Sequence, residues 1–183
     1  MSKKQTFERL LELVLNLRDR VAKLETEVYK RTEVQEVSKA NSSSVVEIYT
    51  DGSCKGRVGG WAYIMKLGKD VIENSGRETN TTNNRMELLA ALNGLKYLSD
   101  GNRVKVYSDA KYLVNGMTTW MSSWKKSGWR STNGPVKNKD LWLQLDRETA
   151  RLKVEWVWVR GHNGNEMNER ADRLATKAME GMV

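Results

Sequence analysis

The sequence predicts an α/β fold: a five-stranded mixed sheet flanked by helices, preceded by a long N-terminal helix that is a coiled-coil candidate. Three observations predict it. Residues 5–37 repeat apolar side chains every seven positions, a polar stretch at 38–44 interrupts that repeat, and strand-like and helical periods alternate from 45 onward. Three strands, a helix, a strand, helices, a strand and a helix describe a mixed sheet covered by helices.

In the first segment Phe7, Val14, Val21 and Val28 share one heptad position, and Leu10, Leu17 and Leu24 share another three residues later. This is the a/d pattern of a coiled coil. Valine at a with leucine at d favours two strands, and Arg20 at g would face Glu25 at e of a parallel partner. The expectation is a parallel homodimer, with a trimer or a protein partner as lesser options. Leu11, Leu13 and Leu15 widen the apolar face, as in a single amphipathic helix packed on the following domain. Ser38-Lys-Ala-Asn-Ser-Ser-Ser44 reads as a polar connector that lets the body move relative to the helix. The expected division is thus a helix at 1–37, a linker at 38–44 and a globular domain at 45–183.

Within that domain, β-branched and aromatic runs predict strands at 45–50, 59–67, 70–78, 103–108 and 153–159. Gly68-Lys-Asp70 suits a hairpin turn between the second and third. Period-3.6 runs predict helices at 82–99, 110–124, 138–149 and 166–180. Trp61, Trp142, Trp156 and Trp158 are assigned to the core, and Trp120 and Trp124, four residues apart, to core ahead of contact.

Composition narrows the function. The single cysteine, Cys54, excludes an internal disulfide and suits a reducing, cytoplasmic setting. Arg18, Asp19, Arg20 and Lys23 interrupt the N-terminal apolar run, which argues against a signal peptide or membrane span. A net charge of +8 points to an acidic partner, nucleic acid ahead of membrane. The first 44 residues carry nine Lys+Arg against seven Asp+Glu, so +6 of the +8 belongs to the globular domain.

Four acids stand out. Asp51 closes the strand run 45–51 and Asp109 closes 104–109, and ligands in open α/β sheets collect at the carboxyl ends of neighbouring strands. Glu87 lies one turn into a helix, in line with Ala91, Gly94 and Leu98, so it faces inward; Asp172 aligns with Ala175 and Met179 on the last helix. Buried carboxylates are costly unless paired or metal-bound. The plain alternatives are Glu87 paired with Arg85 and Asp172 with Asn168 or Thr176. Together the four acids predict a cage of hard oxygen ligands for divalent cations, most naturally Mg²⁺.

The segments Thr50-Asp-Gly-Ser-Cys54, Thr81-Thr-Asn-Asn-Arg-Met-Glu-Leu88, Tyr107-Ser-Asp-Ala-Lys-Tyr112, Trp158-Val-Arg-Gly-His162 and Asn168-Glu-Arg-Ala-Asp172 occur in this order. Together they closely resemble the bacterial form of the type 1 ribonuclease H family, over residues 45–183. The resemblance implies a ribonuclease H-like sheet and a metal-binding quartet of Asp51, Glu87, Asp109 and Asp172. It further implies endonucleolytic cleavage of the RNA strand of RNA–DNA hybrids, leaving a 3′-hydroxyl and a 5′-phosphate. Two Mg²⁺ ions about 4 Å apart would clamp the attacking and leaving oxygens, with Mn²⁺ as a possible substitute. The resemblance makes His162, the only histidine, a proton shuttle on a glycine-flanked loop. Asn83 and Asn84 would sense ribose 2′-hydroxyls across the minor groove, although either could instead cap its helix. Lys125, Lys126, Trp129 and Arg130 resemble the family's basic protrusion, which grips the DNA strand.

Two departures add positive charge. Lys55-Gly-Arg-Val-Gly-Gly60 is shorter than the family's usual loop and carries Arg57, and Lys111 stands where a polar amide is frequent. Rival readings are a DNA-processing nuclease of the wider superfamily and a noncatalytic hybrid-binding scaffold. Cleavage assays on hybrid and duplex DNA, with and without divalent ion, separate them.

Overall fold

Neighbouring residues of one strand fix the layering. A computed structural model describes residues 3–40, 44–132 and 134–182 of the chain. Strands β1 (Val45–Lys55), β2 (Val58–Leu67), β3 (Asp70–Thr79), β4 (Arg103–Ser108) and β7 (Lys153–Trp158) form one sheet in the order β3-β2-β1-β4-β7. On β2 a Cβ at Gly59 would strike Met86 of α2 (Asn83–Leu95), while one at Gly60 would strike Ala175 and Met179 of α6 (Glu166–Glu180). Successive strand residues point to opposite faces, so α2 and α6 cover opposite sides, each with its backbone close against the sheet. α5 (Lys139–Arg151) packs on α2.

β1 pairs antiparallel with β2 and parallel with β4, and β4 pairs parallel with β7. The sheet is therefore mixed, as predicted. β1 runs five residues beyond the expected end at Thr50, because β2 continues to pair with it after β4 has stopped. The 55–60 segment is a tight hairpin, with Gly56 at φ 64°.

The expected helix at 110–124 is three pieces: α3 (Lys111–Asn115), a π-helical turn (Gly116–Trp120) and α4 (Met121–Lys126). Its cause lies elsewhere in the chain. Trp142 of α5 is fully buried and its ring presses on Gly116, where any Cβ would collide with it; the widened turn accommodates the contact. A small hairpin of β5 (Arg130–Ser131) and β6 (Gly134–Pro135) follows α4.

The N-terminal helix α1 spans Lys3–Ala40, so the first three residues of the expected connector continue the helix; residues 41–43 and the Phe7 side chain lie outside the described set. Leu10, Val14, Leu17, Val21, Leu24 and Val28 are all exposed. Val34, by contrast, is 1% exposed within the main core cluster. The end of α1 is thus docked on the body while its apolar seam faces outward. Among the described residues no helix is long and apolar enough to cross a membrane.

Candidate active site

Thr50 and Ser108 form the last parallel rung between β1 and β4. Asp51 and Asp109 are the next residue on each chain, which sets their carboxylates side by side at the strand ends. Asp51 remains in β1, opposite Ala62. At Asp109 the chain leaves the sheet: Ser108 Oγ accepts the Ala110 N–H at 3.1 Å, and α3 begins at Lys111. Gly52 lets β1 touch the first turn of α2, since a Cβ there would overlap the Met86–Glu87 backbone. Thr82, not Asn83 or Asn84, caps α2. On α6, the Asn165 cap and the helix that follows bring Asn168 and Asp172 to the same cavity of about 460 Å³, which also receives His162.

Carboxylate oxygens of Asp51, Glu87 and Asp109 lie within 4.8 Å of one another. Burial, then the charges of Asp109 and Asp172, push the Asp51 carboxyl up to about 8. Burial, then Asp51 and Asp109, hold Glu87 well above the ordinary carboxylate range, opposed by the Gly52 N–H and by Asn83 Nδ2, which donates to Glu87 Oε1 at 3.3 Å. Glu87 Oε2 is buried with no hydrogen-bond partner among the described residues. No lysine or arginine pairs with any of the four acids among those residues. Crowded, desolvated carboxyl oxygens with one left orphaned are what a hard divalent cation relieves. Asp172 lines the same cavity, and its charge adds to the upward shift of Asp51, but its carboxylate stands outside the close group of three.

The remaining expected residues divide. His162 is exposed on the cavity rim with φ 50°, and the preceding Gly161 abuts Asp109 Oδ2, leaving no room for a Cβ. Asn84 lines both the acid cavity and a neighbouring groove of about 1280 Å³ formed with Tyr112, Trp120, Trp124 and Arg130. Lys111 sits at the cavity. Lys125 is held by Asp146 at 2.9 Å, away from the groove; Lys126 is exposed; Trp129 packs near Trp124 with Lys139 Nζ over its ring at 5.9 Å. Trp158, expected in the core, is 45% exposed: it is the last residue of β7, at the sheet's open end, and its indole N–H donates to the Asp109 carbonyl at 3.0 Å. Sequence reasoning treated Asn168 only as a partner for Asp172. Its Nδ2 donates to Asp109 Oδ2 at 3.4 Å and its Oδ1 is buried without a partner among the described residues. The signal was present, because Asn168 lies one turn before Asp172 on the same face.

Residues 43–180 match the RNase H family. The chain belongs to that family. It is similar to the Ribonuclease H of Erythrobacter litoralis, 51% identical over 138 residues, which cover 74% of this chain and 96% of that protein. The Ribonuclease H of Bordetella pertussis is 45% identical over 150 residues, covering 80% and 97%. Among solved structures, LC9-RNase H1, a type 1 RNase H with the type 2 active-site motif, superposes with TM-score 0.67 at 32% identity, over 76% of this chain and 74% of that one. A foamy viral protease-reverse transcriptase in complex with RNA/DNA hybrid shares the fold, with TM-score 0.66 at 17% identity over 74% of this chain and 20% of that one. As an RNase H the chain is a nuclease that hydrolyses the RNA strand of RNA–DNA hybrids. The family depends on divalent metal, and the acid triad here can bind one.

Proposed function

We propose that Asp51, Glu87, Asp109 and Asp172 hold a pair of Mg²⁺ ions, which Mn²⁺ can replace, for endonucleolytic cleavage that leaves a 3′-hydroxyl and a 5′-phosphate. The observation that carries this reading is the convergence of the Asp51, Glu87 and Asp109 carboxylates, with one Glu87 oxygen buried and unpartnered among the described residues. When bound, such a pair supplies an activated water and offsets charge on the departing ribose oxygen. The chain's own residues do the rest. Asn83 restrains Glu87, Asn168 restrains Asp109, and Asp51 stands on the central strand. His162 stands on the exposed rim, where it can take a proton from the attacking water or give one to the leaving group. Asn84 and Asn83 face the hybrid's minor groove, Lys111 a phosphate near the cut, and Lys126, Trp129 and Arg130 the DNA strand. Lys125 contributes to that grip only by releasing Asp146.

The catalytic unit is residues 45–183, and α1 is an assembly element. Its exposed seam, with Arg20 and Glu25 poised to pair across two parallel copies, takes a second copy of this chain as its partner. A single cysteine, Cys54, which can form no internal disulfide, suits the reducing cytoplasm. The deciding experiment is Asp51→Asn. It should abolish Mg²⁺-dependent cleavage of a labelled hybrid while the protein stays folded by circular dichroism; near-normal turnover would refute the metal assignment.

A further inference from the structure

An exposed tryptophan beside a polar, anionic cavity calls for an explanation, because its large apolar surface contributes most when buried. Trp158 makes two defined contacts. Its indole N–H donates to the carbonyl of Asp109 at 3.0 Å, and the Lys111 ammonium lies over its ring, 5.1 Å from the centroid. Lys111 is set apart by its place at the rim of the acid cavity. Lys66 is paired with Glu47, Lys105 with Glu155 and Lys125 with Asp146, whereas Lys111 has no carboxylate partner among the described residues. An ammonium on four rotatable bonds, held by an aromatic face and left unneutralised at the cavity rim, is ready to receive an anion.

We propose that Trp158 is a positioning residue for substrate binding: its ring is the platform that places the Lys111 ammonium against a phosphate of the hybrid, next to the acids that perform the cut. The inference rests on the hybrid being the substrate. The wild-type chain serves as the control in every assay, so failure to cleave hybrid at all would be a failure of that reading and not of the platform.

The test is steady-state cleavage of a labelled hybrid by Lys111→Gln, Trp158→Leu, Trp158→Phe and the Lys111→Gln/Trp158→Leu double variant. Lys111→Gln should raise KM about tenfold with kcat little changed, and reduce the slope of log(kcat/KM) against log salt by about one. Trp158→Leu keeps apolar bulk but loses the π face, and should raise KM severalfold in the same way. Trp158→Phe loses the N–H but keeps a ring, and should recover most of the wild-type KM. In the double variant the tryptophan change should add nothing. Multiplicative effects would overturn the proposal, since Trp158 would then touch the substrate itself. So would a fall in kcat shared by Trp158→Leu and Trp158→Phe, which would place the role in the Asp109 hydrogen bond. Should Trp158→Leu fail to fold, Lys111→Arg decides: a guanidinium stacks on the same ring, and an arginine variant no better than glutamine would sink the platform.

Discussion

The Asp51 carboxyl keeps its proton in the folded, metal-free chain up to about pH 8, whereas an unfolded chain releases it near 3.8. Glu87 is shifted in the same direction. The folded state therefore holds extra protons across that window, and the stability present below pH 3.8 is lost as pH rises toward 8. Divalent metal binds the deprotonated form and reverses the trend. Thermal melts in EDTA should show stability falling from pH 5 to pH 8, with Mg²⁺ giving its larger increase at pH 8, by about 2.7 kcal/mol at a hundredfold excess over Kd. An Mg²⁺ increment equal at both pH values would contradict this. His162 belongs to the same scale. It touches no acid through a hydrogen bond among the described residues, so His162→Ala should leave folding intact and lower turnover by about 10²-fold. Unchanged single-turnover rates would remove the proton-transfer role.

At the scale of elements, one side chain closes α2. The Arg151 guanidinium donates to the carbonyls of Leu95, Lys96 and Leu98, and pairs with Asp100 and Glu148. A helix C-terminus leaves carbonyls without intrahelical partners and carries partial negative charge, so one cation meets both needs. Arg151→Met should lower the urea unfolding free energy by about 2–3 kcal/mol, because several charge-assisted bonds are lost at once; a change under about 0.5 kcal/mol would show the cap to be idle. The capping was not readable from sequence, since Arg151 is more than fifty residues from the carbonyls it caps. The same reason hides the π-helical turn, which exists because Trp142 presses on Gly116, and the capture of Lys125 by Asp146. Strands of two residues at 130–131 and 134–135 fall below any periodic signal. What was legible was local. Val-Lys-Val-Tyr-Ser alternates cleanly and gives β4 its observed bounds, and the Glu166–Glu180 run gives α6. The acids were legible because a carboxylate at the end of such a run has few structural uses. Trp158 misled because strand tryptophans are usually covered, and its exposure depends on where the helices stop.

At the scale of the whole molecule, the body carries most of the net positive charge and α1 carries the uncovered apolar seam. Sedimentation equilibrium of the full chain should therefore give a dimer, and Leu17→Asp with Val21→Asp should give a monomer whose cleavage rate per site on short hybrids is unchanged. A concentration-independent monomer for the unmodified chain would end the dimer reading.

Val34 has a mechanical consequence. The heptad seam stops at Val28, and the next turns of the same helix are anchored by Val34 in the core. A continuous helix transmits rotation, so in the proposed dimer the azimuth of each cleft about the coil axis would be geared to the zipper by residue count. One alanine inserted between Val28 and Val34 would turn the body by about 100°, while seven would bring it round to within about 20° of its starting orientation. Crosslink patterns between the two bodies of that proposed dimer should follow the same periodicity, changing with one insertion and returning with seven.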